Sequence, residues 1–223
     1  MPLPWVFAQS WVDLLFAHWQ VDADALRQHV PPALELEEAE GGAWLGVVPF
    51  RIEGFRARGT RPLPWLGRFP ELNVRTYVRG PRGPGVWFFS LDAASRAAVR
   101  AARRFYQLPY FYAQMRVVSG EAIEYESSRG DLGFAASYGP AGEPAIGRPG
   151  SLEHFLTERY RLYAWGRRRL WCAEIDHEPW SLQPAAAQIS LNTMAAPFVE
   201  LSGEPLLHFA RRQDALVWPL RAA

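Results

Sequence analysis

The run Glu71-Leu-Asn-Val-Arg-Thr-Tyr-Val carries the most chemistry at regular spacing in this sequence. In a β-strand successive side chains point to opposite faces, so Glu71, Asn73, Arg75 and Tyr77 share one side and Leu72, Val74, Thr76 and Val78 the other. An acid, an amide, a guanidinium and a phenol in series can orient a small polar ligand. Arg75 is the natural carboxylate clamp among them, because its planar fork gives two parallel hydrogen bonds. The same alternation also describes a half-exposed strand whose polar side faces water. The two readings differ in whether the polar side lines an enclosed space with a second layer over the apolar one.

Three further segments can face the same space. Alternation along 86–92 groups Phe88, Ser90 and Asp92 against Trp87, Phe89 and Leu91. Along Tyr125-Glu-Ser-Ser-Arg it groups Tyr125, Ser127 and Arg129, while Glu158, Arg159 and Tyr160 stand at a helix-to-strand junction. In the binding reading Arg75 and Arg129 hold the anionic or carbonyl end of a ligand, Asn73, Tyr77 and Glu158 orient it, and Phe88 flanks its apolar part. Ser90, Ser127, Arg159 and Tyr160 complete that candidate site. In a catalytic reading Glu71, Glu158 or His177 transfers protons while arginines stabilise developing negative charge. His177 precedes Glu178-Pro179, so a hydrogen-bonded turn residue accounts for it as well. The charged members equally describe a structural ion-pair network with no ligand.

Composition removes several machineries. All 24 basic residues are arginine, so no side chain can form a Schiff base and no Walker A loop exists. The only primary amine is the α-amino group at Met1. GxGxxG and GxSxG are absent, and the five histidines show no HExxH or paired Cys/His spacing, so neither a metal nor a cofactor is expected. The lone Cys172, between Trp171 and Ala173, reads as a buried residue and fits a reducing compartment. Arg96, Arg100, Arg103 and Arg104 fall at helical spacing, but a net charge of +1 makes them a solvated helix face, with no nucleic-acid partner. No run reaches the roughly 20 apolar residues a spanning helix needs, and no leader pattern opens the chain. The expectation is a soluble, cytoplasmic protein with a small-molecule partner, anionic or carbonyl-bearing, no membrane partner, and homo-oligomerisation on general grounds.

The elements that must position these residues are mostly strands. Segments 43–52, 71–79, 86–91, 111–119 and 121–127 are rich in β-branched and aromatic residues, and 160–164, 170–175, 189–191 and 206–210 add later strands. Glycines at 80–85 and at 119–120 predict antiparallel hairpins, and the Gly- and Pro-dense stretch 139–150 a loop. Asp22 caps a short helix ended by Pro31-Pro32; a second runs from Asp92 through 93–106 and stops at Leu108-Pro109; a third starts at Ser151 and covers 152–158. One domain over 1–223 is expected, of α+β class and mainly β: antiparallel strands in a barrel or strongly curved sheet with three short helices at its edges.

Together, Glu71-Leu-Asn-Val-Arg-Thr-Tyr-Val, Gly85-Val-Trp-Phe-Phe-Ser-Leu-Asp-Ala, Leu108-Pro-Tyr, Phe155-Leu-Thr-Glu-Arg-Tyr and His177-Glu-Pro-Trp resemble the YqjF-like family of uncharacterised bacterial proteins over nearly the whole chain. That family is similar in fold to acetoacetate decarboxylase, which implies a cone-shaped antiparallel β-barrel with surrounding sheet and short helices. The segment from Asp22 to Leu36 is similar to a helix-plus-proline entry in that enzyme. The decarboxylase works through a lysine whose pKa a cationic neighbour lowers. In rough register that lysine region falls near Ser127-Ser128-Arg129. Arginine stays protonated and is a very poor nucleophile, so the resemblance implies a cavity and not the decarboxylase reaction.

Overall fold

Period-2 sequence with long-range pairing dominates the chain. The structure, a computed structural model, describes residues 4–62 and 67–223; Met1 and its α-amino group lie outside them. In chain order the elements are β1 (Phe7–Val21), α1 (Ala23–Arg27), β2 (Glu35–Leu36), β3 (Glu38–Ala39), β4 (Gly42–Ala57), β5 (Phe69–Gly80), β6 (Gly83–Ala93), α2 (Arg96–Tyr106), β7 (Tyr110–Tyr112), β8 (Gln114–Ser119), β9 (Ile123–Arg129) and β10 (Leu132–Pro140). They continue with β11 (Ala145–Ile146), α3 (Leu152–Thr157), β12 (Arg161–Gly166), β13 (Arg169–Asp176), β14 (Ser181–Asn192), β15 (Leu206–Val217) and β16 (Arg221–Ala222).

Pairing runs β12-β6-β5-β4-β1-β15, and β13 then bonds to both β15 and β12, which closes a ring of strands. All these junctions are antiparallel except β6–β12, which is parallel at Val86↔Leu162. A second layer, β8-β9-β10-β14, joins the ring where Gln183 of β14 pairs with Phe209 of β15. Tyr125, Phe134 and Tyr138 of that layer pack with Leu15, Leu72, Val74, Val78 and Phe209 of the ring's outer face. Burying each Leu or Val is worth about 1.5–3 kcal/mol, and a one-residue slip of β5 would turn Leu72, Val74 and Val78 out of this core. The apolar side of β5 therefore belongs between the layers, and its polar side faces the interior of the ring.

β6 does not keep the regular alternation expected of it. Val74 stands opposite Ser90 while Arg75 stands opposite Phe88, so Phe89 is one extra residue on β6. Opposed residues share a face. Phe88 consequently packs inside the ring with Tyr77 and Val86, whereas Phe89 joins the core between the layers. Ser90 and Asp92, opposite Val74 and Leu72, follow it outward. A β-bulge of this kind re-aims every side chain beyond it.

The helices start on side-chain caps. Asp22 accepts from Asp24 N at 2.8 Å and Ala25 N at 3.1 Å, and Ser151 from His154 N at 3.3 Å. For α2 the cap is Ser95, accepting from Ala98 N at 3.2 Å, and not Asp92, which stays in β6. Asp92 is drawn away because its carboxylate is buried against Arg129. The aromatic segment 7–21, given no element by its sequence, forms the central strand β1, and 206–210 extends to Val217. No helix of the described residues is long and apolar enough to cross a membrane.

The parallel junction needs a close approach. A Cβ on Gly85 would lie 2.7 Å from the Arg161 carbonyl oxygen and 3.0 Å from Tyr163 Cε2. Gly85→Ala is expected to destabilise the protein by about 1–3 kcal/mol through overpacking. Urea unfolding checks this, and an unchanged midpoint would mean that β12 does not seat this tightly.

Candidate functional site

Inside the ring lies a cavity of about 200 Å³. Glu71, Asn73 and Arg75 of β5 line it, with Phe88, Arg159 and His177; Trp11, Phe16 and Phe50 add aromatic wall, and one face of α2 covers the mouth.

Glu71 is 3 % exposed, and the Tyr110 hydroxyl lies 3.0 Å from each of its carboxyl oxygens. No arginine pairs with it among the described residues. Burial without a cation pushes its pKa from the usual 4.5 to about 8, the Tyr110 hydrogen bond offsetting only part of this. At neutral pH Glu71 is thus a protonated acid that can donate a hydrogen bond. From the outer layer, the Tyr125 hydroxyl donates to the Glu71 carbonyl at 2.7 Å and fixes the strand there.

Asn73 is 5 % exposed and its Oδ1 has no partner. Arg75 is half-buried; its Nη2 donates to the Leu156 carbonyl at 3.2 Å, an acceptor left free by the last turn of α3. Its guanidinium sits 5.4 Å from the Phe16 ring centroid. It pairs with no carboxylate among the described residues. Arg159 differs, because Glu37 answers its charge from behind and also takes Arg79 at 2.6 Å. Among the described residues, β5 therefore presents to the cavity a cation without a carboxylate partner at Arg75 and, four residues away, a neutral acid at Glu71.

Below Arg75, Tyr77 closes the ring rather than lining the cavity. Its hydroxyl is 2.5 Å from His18 Nε2, and both residues are fully buried. Burial and the Arg75 charge hold His18 well below its ordinary pKa, hence neutral. Gly46 makes room here, since a Cβ would come within 3.0 Å of His18 Cδ2.

His177 lies at the cavity wall, stacked on Tyr160 at 4.6 Å and edge-on to Trp180. Its Nδ1 is 2.7 Å from the Glu178 carbonyl oxygen, which can only accept, so Nδ1 carries the proton. Burial lowers its pKa, and the neutral ring leaves Nε2 as a free base. Glu158 takes no place in the cavity: it accepts from the Tyr160 hydroxyl and from Trp180 N at 2.8 Å, holding the segment that carries His177. Tyr160 is the plate behind His177 and likewise does not line the space.

Ser90, Ser127 and Arg129 lie on the other side of the wall. Arg129 Nε reaches both oxygens of the fully buried Asp92 carboxylate, at 2.9 and 3.0 Å, and its guanidinium lies 4.1 Å from the Phe111 ring centroid. The expected pairing of Arg75 with Arg129 on one ligand is thereby corrected: the bulge at Phe89 turns Asp92 outward, and Asp92 takes Arg129. Ser90 and Ser127 are buried hydroxyls without partners. Tyr110, Trp11 and Trp180 were not anticipated. Tyr110 and Trp180 close the Leu108-Pro-Tyr and His177-Glu-Pro-Trp motifs, the available signal, whereas no motif marks Trp11. Cys172 is buried with its thiol pKa pushed up, away from the cavity. No group of three or more His, Cys, Asp or Glu converges among the described residues.

A ring of strands around a polar-floored cavity, backed by a second sheet, is the acetoacetate-decarboxylase-like fold. The chain superposes on acetoacetate decarboxylase from Legionella pneumophila with a TM-score of 0.67 at 15 % identity, covering 100 % of this chain and 92 % of that one. The enduracididine biosynthesis enzyme MppR complexed with pyruvate matches with a TM-score of 0.70 at 14 % identity, covering 100 % and 91 %. An acetoacetate decarboxylase-like enzyme from Sphingomonas wittichii RW1 matches with 0.66 at 11 %, covering 99 % and 94 %. Within that fold the chain belongs to the DUF2071 family, described as uncharacterized conserved protein, which residues 8–214 match. It is 48 % identical to the uncharacterized protein YqjF of Bacillus subtilis, over 97 % of this chain and 92 % of that protein.

Proposed function

We propose that this protein binds a small organic acid in the cavity of its ring, with the carboxylate on Arg75. The observation that carries this reading is the half-buried guanidinium of Arg75, which lines the cavity without a carboxylate partner among the described residues. A cation taken from water without an anion is costly, and a ligand carboxylate would relieve that cost. The unpartnered Asn73 amide stands ready as a further hydrogen-bonding group for the same head. A fold relative in complex with pyruvate is consistent with a small carboxylate in this kind of cavity. The space itself weighs against a solid ion-pair core. Arg75→Met should keep the protein folded and weaken carboxylate binding at least 30-fold, as expected for charge-assisted hydrogen bonds worth about 2 kcal/mol or more. A thermal-shift screen of carboxylates on both proteins reads this, and equal shifts for parent and variant would reject the clamp.

A second reading, general acid–base catalysis on a carbonyl-bearing acid, has its own observation. Glu71 carries a proton at neutral pH while His177 presents a bare Nε2, and both line the cavity. Groups whose environments push their pKa values in opposite directions suit donor and acceptor roles. With no lysine in the chain, this chemistry proceeds without a side-chain Schiff base.

A further inference from the structure

Resting on the carboxylate reading, we propose that the ligand is an acid with an extended apolar tail of about the bulk of a phenyl ring, its head at Arg75 and its tail beneath α2. The tail chamber is visible in how α2 is placed. Ala97, Ala98, Ala101, Ala102 and Phe105 recur at the spacing of one helical face, and all line the cavity. Ala97 and Ala101 are exposed and Phe105 is 62 % exposed, while only Val99 and Tyr106 of the helix are buried. The opposite face carries Arg96, Arg100, Arg103 and Arg104, all exposed. The helix thus turns its apolar face toward an empty space and its charges toward water. A helix seated on protein side chains would bury that face.

A second observation supports a guest in the same cavity. Asn73 is more than nine-tenths buried, lines the cavity, and has an amide oxygen with no partner. Either orientation of the amide leaves a polar group there for a guest to satisfy. Dimensions then choose the guest. From Glu71 to Arg75 the strand advances about 13 Å. An apolar cavity of about 150 Å³ accepts benzene, and the space here is about 200 Å³. A two- or three-carbon acid held at Arg75 would fill only part of the space, whereas a ring or short chain extends from Arg75 along the wall toward Phe50, opposite Glu71. Each methylene buried adds about fourfold in affinity.

Titration calorimetry with propanoate, 3-phenylpropanoate and 3-phenylpropan-1-ol on the parent, Ala101→Trp and Arg75→Met proteins tests the proposal. The expected result is that 3-phenylpropanoate binds the parent about 100-fold or more tighter than propanoate. In Ala101→Trp, which fills the chamber from the exposed mouth, that ratio should shrink at least tenfold, and in Arg75→Met both acids should weaken. Equal affinity for the two acids, lost in Arg75→Met, would overturn the tail chamber while leaving the carboxylate site standing. An alcohol binding as tightly as the aryl acid, or acids bound equally by Arg75→Met, would overturn the carboxylate reading and this inference with it.

Discussion

Replacing Glu71 by glutamine makes the protein progressively more stable than its parent as the pH rises from about 5 to 8. Below pH 4.5 the carboxyl carries a proton in both the folded and the unfolded chain, and the two proteins should be closely matched. Between 4.5 and about 8 the unfolded chain releases that proton while the folded chain, where burial holds it, does not. Unfolding then releases a proton, so rising pH favours it, with a slope approaching 1.4 kcal/mol per pH unit, roughly, for one group. Above about 8 the folded carboxyl ionises too and the penalty levels off. Glutamine keeps an acceptor for the Tyr110 hydroxyl and cannot ionise. Its advantage should accumulate to on the order of 4 kcal/mol at pH 8. Urea unfolding of both proteins at pH 5, 6, 7 and 8 measures it, and a difference independent of pH would contradict a neutral buried Glu71. The same variant separates the two functional readings: a binding protein keeps its acid ligand, whereas an acid–base enzyme keeps binding and loses turnover.

Arg129→Met is expected to destabilise the protein by about 3–5 kcal/mol at neutral pH and to leave ligand binding in place. The Asp92 carboxylate has no exposed side-chain surface and Arg129 is its partner at 2.9 Å, itself 23 % exposed. Burial already raises the Asp92 pKa, and Arg129 only partly opposes that. Without the guanidinium the carboxylate is buried and unanswered, so it must either take up a proton or draw the region open. Lowering the pH supplies the proton and should shrink the deficit. The double variant Asp92→Asn with Arg129→Met should recover part of the loss. The readouts are urea unfolding at two pH values and calorimetry with 3-phenylpropanoate. A variant of near-normal stability that had lost the acid would return Arg129 to the ligand and refute its structural role.

The two residues differ in how much of their setting is local in the sequence. Glu71, Asn73, Arg75 and Tyr77 are legible as one face because strand alternation is local geometry and β5 keeps it without interruption, although Tyr77 lies below the cavity. The same rule directs Ser90, Ser127 and Arg129 to that space, and the structure separates them from it. On β6 the rule fails at one extra residue, Phe89, whose placement depends on the partner strand and not on β6 itself. On β9 the alternation of Tyr125, Ser127 and Arg129 holds, but their shared face belongs to the second layer and meets the outside of the ring. Tyr110, the group that meets the Glu71 carboxyl, sits 39 residues away in sequence, and no spacing rule spans that distance.

From its sequence alone the chain rules out a side-chain Schiff base, because a missing functional group is missing in every conformation. Helix starts at Asp22 and Ser151 and the line of polar groups along β5 were legible for a related reason: caps and strand alternation act over a few residues. Which face of β5 is enclosed, how β6 is offset, and which charged residue meets another side chain were settled only by closure of the ring and its second sheet. Burial and charge compensation depend on groups brought together from distant parts of the chain, so Arg75 and Arg129, alike in the sequence, differ in the fold: one lines the cavity with no carboxylate partner among the described residues, the other neutralises Asp92.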